Sequence, residues 1–204
     1  LPSVLAAPPF DRAERIAVVG FSLGGHVALR FATESDDPRF AGVVSICAPL
    51  DLDRGATALD TSPWRIYRWY LLEGLNEAYA EVAARHPLPV SVGRVRRART
   101  IREWDGLAVA PRFGFASAED YYARASVAPR LARLARPALL LWSTGDPMVP
   151  YSTVEPFLGN LPGEARVVVT PRGGHVGFPR ELDLGLGGER GLQGQVAAWL
   201  GATA

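Results

Sequence analysis

Three residues of this chain have the types and surroundings that acyl-transfer chemistry requires: Ser22, Asp146 and His175. Ser22 stands in Gly20-Phe21-Ser22-Leu23-Gly24, a G-x-S-x-G pattern. A serine hydroxyl is a poor nucleophile at neutral pH and needs a hydrogen-bonded imidazole to take its proton. The imidazole needs a carboxylate on its other nitrogen, which fixes the tautomer and stabilises the imidazolium. Asp146 leaves an apolar run at a Gly-Asp-Pro turn, and His175 leaves the next run at Gly-Gly-His. The Leu23 amide, the first after the serine, points where a developing oxyanion would sit.

These side chains need elements to position them. Ile16-Ala17-Val18-Val19 is an apolar run too brief for a helix and reads as a buried strand. Val27, Ala28, Leu29, Phe31 and Ala32 then give the apolar face of a helix, so the serine falls at a strand-to-helix elbow. In such a strained turn, the glycines on either side of the serine are expected to be demanded by close backbone approach. Phe40 to Ile46 is a second strand, Pro137 to Ser143 a third and Arg166 to Thr170 a fourth. Gln193 to Leu200 is a closing amphipathic helix with Val196, Trp199 and Leu200 facing inward. The strand–helix–strand order predicts an α/β fold with a mostly parallel sheet and right-handed crossovers.

The block from about Thr61 to Ala128 differs in character. It carries Trp64, Tyr67, Trp69 and Tyr70 on a helix predicted to run to about Arg85, and a basic stretch of Arg94, Arg96, Arg97, Arg99 and Arg102. A further helix is expected at Glu119 to Ala125. With no central strand and a place between two sheet strands, the block reads as a helical cap insertion bordering an apolar substrate pocket, with plain core packing an equal reading for any single aromatic. The arginines read as a solvated face, with pairing to an acidic group the less favoured alternative.

Other chemistry-bearing residues have plainer readings. Asp51, near the carboxyl end of the second strand, is a second candidate acid, with a turn or helix-cap role favoured. His26 and His86 read as structural, and Cys47 as a small buried hydrophobe. One cysteine excludes an intrachain disulfide and a multi-cysteine zinc site. Without His-Glu-x-x-His or clustered ligands, a metal hydrolase is disfavoured.

The 204 residues fit one domain, and a net charge of +1 argues against a nucleic-acid partner. Basic residues are all arginine. No apolar run approaches the roughly 20 residues of a membrane span. The first residues, LPSVLAAPPF, lack a basic region and contain proline breaks, so they do not read as a signal peptide, and a cytoplasmic protein is expected.

The motifs GFSLGG (Gly20 to Gly25), FGFASAEDYYARAS (Phe113 to Ser126), TGDPMVP (Thr144 to Pro150) and GGHVGFP (Gly173 to Pro179) together resemble the α/β-hydrolase superfamily. Within it they resemble the YheT-like or EMB8-type hydrolases, relatives of ABHD1 and ABHD3. The order serine, acid, histidine is that superfamily's order. The resemblance implies Ser22 as nucleophile, Asp146 as acid and His175 as base in an esterase- or lipase-like enzyme without a cofactor, acting on a small-molecule ester or lipid-like substrate. It also implies strands ahead of the elbow, with a His-Gly loop donating a second oxyanion amide, to which residues 1–15 do not correspond. The expectation is a single, partial hydrolase domain over 1–204, its N-terminal strands missing and its uncovered sheet edge open to self-association. Acyl transfer to an acceptor other than water, and a non-catalytic remnant acting as a binding module, are the alternatives.

Overall fold

The computed structural model describes residues 1–203 and divides into two compact units, residues 1–50 with 127–204 and residues 51–126. In the first unit a single turn, α1 (Pro2–Leu5), precedes β1 (Ile16–Phe21), α2 (Leu23–Ala32) and β2 (Phe40–Ile46). The second unit carries α3 (Leu52–Thr61), α4 (Arg65–Ala83), the short α5 (Val92–Val95), α6 (Ile101–Phe113) and α7 (Ala118–Ala125). The chain then returns for β3 (Ala138–Ser143), β4 (Ala165–Thr170) and α8 (Leu192–Thr203).

The four strands form one parallel sheet in the order β1-β2-β3-β4. Strands in a parallel sheet are covered on both faces and so read as continuous apolar runs. All six residues of β3, ALLLWS, are buried. Period-two alternation then sorts them between two cores. Val43, Leu140 and Trp142 pack with Leu29, Phe31 and Leu131, whereas Val44, Ile46, Leu139 and Leu141 pack with Val196 and Trp199 of α8. Leu200 is half-buried. Gln195, fully buried on the same helix, accepts from the amides of Leu184 and Leu186 and donates to the Leu182 carbonyl, holding the glycine-rich segment before α8. Its three bonds satisfy a side chain that would otherwise be costly to bury.

The carbonyl of Leu50, where the chain leaves this unit, accepts hydrogen bonds from both Val127 and Ala128, where it returns. At the β1 end of the sheet, Ala17, Val19 and Phe21 are exposed.

Three helices of the second unit, α3, α6 and α7, are capped from within it. Asp51 is the N-cap of α3, its carboxylate accepting from Arg54 N–H, which is the cap role favoured from sequence. Thr100 and Ser117 cap α6 and α7 in the same way. Asp60 of α3 accepts from the amides of Ile101 and Arg102, so one helix's carboxylate serves the otherwise unpaired N–H groups of another. Leu72, Tyr79, Val95, Trp104 and Tyr122 form the core. α4 ends at Ala83, two residues before the expected Arg85. Arg94, Arg96, Arg97 and Arg99 are exposed as expected, but Arg102 is not part of a solvated face. It bridges Asp53 and Glu119 and lies 5.1 Å from the Tyr122 ring centre.

Candidate active site

Because all four strands are parallel, their carboxyl ends share one edge of the sheet, where open α/β sheets gather ligands. Ser22 follows β1, Asp146 follows β3 and His175 follows β4, so this topology brings all three to that edge.

Ser22 has φ 52° and ψ −128°, backbone geometry that a non-glycine residue adopts only under constraint. Its amide donates to Ile46 O of the neighbouring strand, and its carbonyl accepts from His26 N–H as the first bond of α2. A Cβ at Gly20 would lie 2.3 Å from the Gly24 carbonyl oxygen, so this glycine is obligatory. At Gly24 a Cβ would meet nothing within 4 Å, contrary to the expectation that both motif glycines are sterically required. The second tight position is Gly25, one residue on, where a Cβ would lie 2.9 Å from Gly20 O and Ser45 Oγ. Leu23 is the first residue of α2, and its N–H is among those an α-helix leaves without an internal acceptor.

Asp146 is buried, and its two carboxylate oxygens have separate tasks. Oδ1 accepts from the amides of Met148 (2.8 Å) and Val149 (3.0 Å), closing the turn that Pro147 begins. Oδ2 lies 2.7 Å from His175 Nδ1. The turn role and the role as imidazole partner therefore coexist in one side chain. With Nδ1–H donated to the carboxylate, Nε2 keeps its lone pair for a proton. Ser22 Oγ has no hydrogen-bond partner among the described residues, so the structure joins acid to histidine without joining histidine to serine.

A residue not singled out from sequence ties the two loops. Ser143, the last residue of β3 and fully buried, donates from Oγ to Gly173 O (2.8 Å) and accepts from Gly145 N–H (3.1 Å). One hydroxyl thus links the loop carrying Asp146 to the loop carrying His175. Gly145 comes so near that its Cβ would sit 3.0 Å from Gly173 O. Gly173 itself has φ 114°, and the Phe178 ring occupies the space a side chain would need. The available signal was a lone hydroxyl closing the apolar run PALLLWS.

The remaining candidates fall outside this arrangement. His26 is buried and its Nδ1 donates to Pro49 O (2.8 Å), while His86 is exposed. Cys47 is buried, with Sγ 3.8 Å from Gly174 O, and burial pushes its thiol up to about 12, leaving a small apolar group rather than a nucleophile. Among the described residues no group of three or more His, Cys, Asp or Glu could hold a metal ion.

The chain matches the alpha/beta hydrolase family over residues 2–183 and belongs to that family. It is similar to YheT of Escherichia coli (strain K12), a protein named for an esterase activity, with 35% identity over 165 residues covering 79% of this chain and 48% of YheT. It is 27% identical over 184 residues to the monoacylglycerol lipase of Saccharomyces cerevisiae, covering 79% of this chain and 37% of the lipase. The chain thus spans about half or less of the length of these curated relatives. An acylaminoacyl peptidase solved with Z-Gly-Gly-Phe-chloromethyl ketone shares the fold, with TM-score 0.51 and 16% identity over 86% of this chain and 22% of the peptidase. The fold is therefore that of an α/β hydrolase, and the expected family resemblance holds.

Proposed function

We propose that this chain carries the serine, histidine and aspartate of a carboxylic-ester hydrolase working through an acyl-enzyme. The observation that carries the reading is the His175 Nδ1–Asp146 Oδ2 hydrogen bond, because it fixes the tautomer a general base needs. Ser22 Oγ attacks the acyl carbonyl and its proton passes to His175 Nε2. The tetrahedral oxyanion is held by the Leu23 N–H, aided by the positive end of α2. His175 returns the proton to the leaving alkoxide, and the acyl group stays on Ser22. Water then repeats the sequence, with His175 as base, and releases the acid. Asp146 orients His175 and balances the charge of its protonated form. Relatives named as an esterase and a monoacylglycerol lipase favour an ester or lipid-like substrate.

Labelling with a fluorophosphonate probe, read by intact mass, tests the assignment. The wild type is expected to gain one adduct, and Ser22→Ala none. Unlabelled wild-type protein, shown to be folded, would sink the proposal and leave the exposed β1 edge as a binding or self-association surface.

A further inference from the structure

α4 presents two faces, of which the core uses one, and the other is apolar in its first two turns. Leu72, Asn76 and Tyr79 face inward and are buried. Ile66, Trp69 and Tyr70, spaced i, i+3, i+4 on a different face, are 60%, 59% and 68% exposed. Trp64, the residue before the helix, is 64% exposed. From Thr61 to Leu72 there are two arginines, Arg65 and Arg68, and no acidic residue. Continuing the bare stripe by one and two further turns gives Glu73 and Glu77, both exposed. The exposed face of α4 therefore passes from aromatic and basic to acidic along its length.

We infer that this end of α4 is a docking site for an anionic lipid bilayer surface. Tryptophan and tyrosine partition to the headgroup level, where the ring is apolar and its polar edge stays wet. Arg65 is exposed beside them, and Arg68 holds the Asp60 carbonyl while keeping its charge, so anionic headgroups meet two cations. The acidic continuation limits insertion to the first two turns, since Glu73 and Glu77 are repelled by the same headgroups. The patch is too small for a stable protein partner. Four large side chains are well short of the roughly 20–30 residues a side that a standard interface uses. Shallow insertion into a headgroup layer needs no such area.

The test measures sedimentation of the purified chain with phosphatidylcholine vesicles made with and without phosphatidylglycerol. Binding is expected to the phosphatidylglycerol vesicles and to weaken as salt is raised. Trp64 and Trp69 should shift to the blue and be quenched by brominated lipid. The Ile66→Ser/Trp69→Ser double variant should lose about tenfold or more in partitioning. Arg65→Glu should lose about fivefold or more on anionic vesicles alone. Near-UV circular dichroism from the buried Trp104, Trp142 and Trp199 reports that each variant is folded. Tyr70→Glu serves in place of the double variant if that fails to fold. The inference is overturned if folded wild type binds neither vesicle or if the patch variants bind as wild type does. It is equally overturned if the wild type is a dimer that the double variant converts to monomer. Ser22→Ala should bind as wild type does, so failure of the hydrolase proposal and failure of this one are separable.

Discussion

Each unit of the molecule draws an aspartate in from its surface, Asp146 buried and Asp105 half-buried, and the two are satisfied in different ways. Asp146, in the sheet unit, receives two backbone N–H bonds and one imidazole bond. Asp105, in the helical unit, receives the Tyr122 hydroxyl on Oδ2 at 2.6 Å. Burial pushes the Asp105 carboxyl up to about 6, with the tyrosine bond only partly offsetting it. The loops after parallel strands have backbone amides to spare, and Asp146 takes two of them. A helix interior spends its amides on itself, so a carboxylate there depends on whatever side chain comes near. Orientation of a reacting group is therefore better built on the strand-end loops than on the helices.

The largest expected effect is on the first aspartate. Asp146→Asn keeps the turn bonds through its amide oxygen but presents the wrong partner to His175 Nδ1. Turnover of an aryl ester should fall about 10³–10⁴-fold with the fold intact. A loss smaller than tenfold would show that the backbone of the loop, not the carboxylate, orients His175.

Ser143→Ala probes the tie between the two loops. It leaves Gly173 O and Gly145 N–H without their partner, at a cost of about 1–3 kcal/mol in denaturant unfolding. Acting through His175, it should also lower kcat about tenfold while KM holds. Loss of stability with kcat unchanged would make the hydroxyl a structural tie alone.

The second aspartate leaves the site untouched and gives a stability effect of the opposite sign. A carboxyl whose folded value lies above its unfolded value binds more protons when folded, so stability falls as pH rises between about 4 and 6. Asp105→Asn should abolish that slope and stabilise the chain above pH 6 by up to roughly 2–3 kcal/mol. Urea unfolding at about pH 4.5, inside that window, and at about pH 8, above it, checks the fall. A wild type equally stable at both would mean that Asp105 is better solvated than its surroundings indicate.

The contrast also explains which features were legible in the sequence. The elbow, the strands and the loops of Asp146 and His175 depend on neighbours in the chain, and local pattern sufficed to find them. Gly25 was missed because, besides Gly20 O, its constraint comes from Ser45 of β2 and Ala48 just beyond it. Ser143 was missed because its partner Gly173 is thirty residues on, a distance no local pattern spans. In the helical unit, the aromatic helix and the cap role of Asp51 were legible. The engagement of Arg102 with Asp53 and Glu119, and of Tyr122 with Asp105, depends on how separate helices pack. The bareness of Ile66, Trp69 and Tyr70 was hidden for the same reason, since the aromatic-rich segment read as pocket lining or core.

The Leu50 carbonyl accepts from Val127 and Ala128, so the excursion through residues 51–126 begins and ends at one point of the sheet unit. A segment with such a doorway behaves as a cassette. The points of exit and return, Leu50 and Val127, already lie together, so only a short bridge is needed between them. Lengthening the excursion costs the sheet unit little, because closure entropy grows only with the logarithm of loop length. The helical unit is thus free to vary in size and sequence while the strand ends bearing Ser22, Asp146 and His175 keep their register.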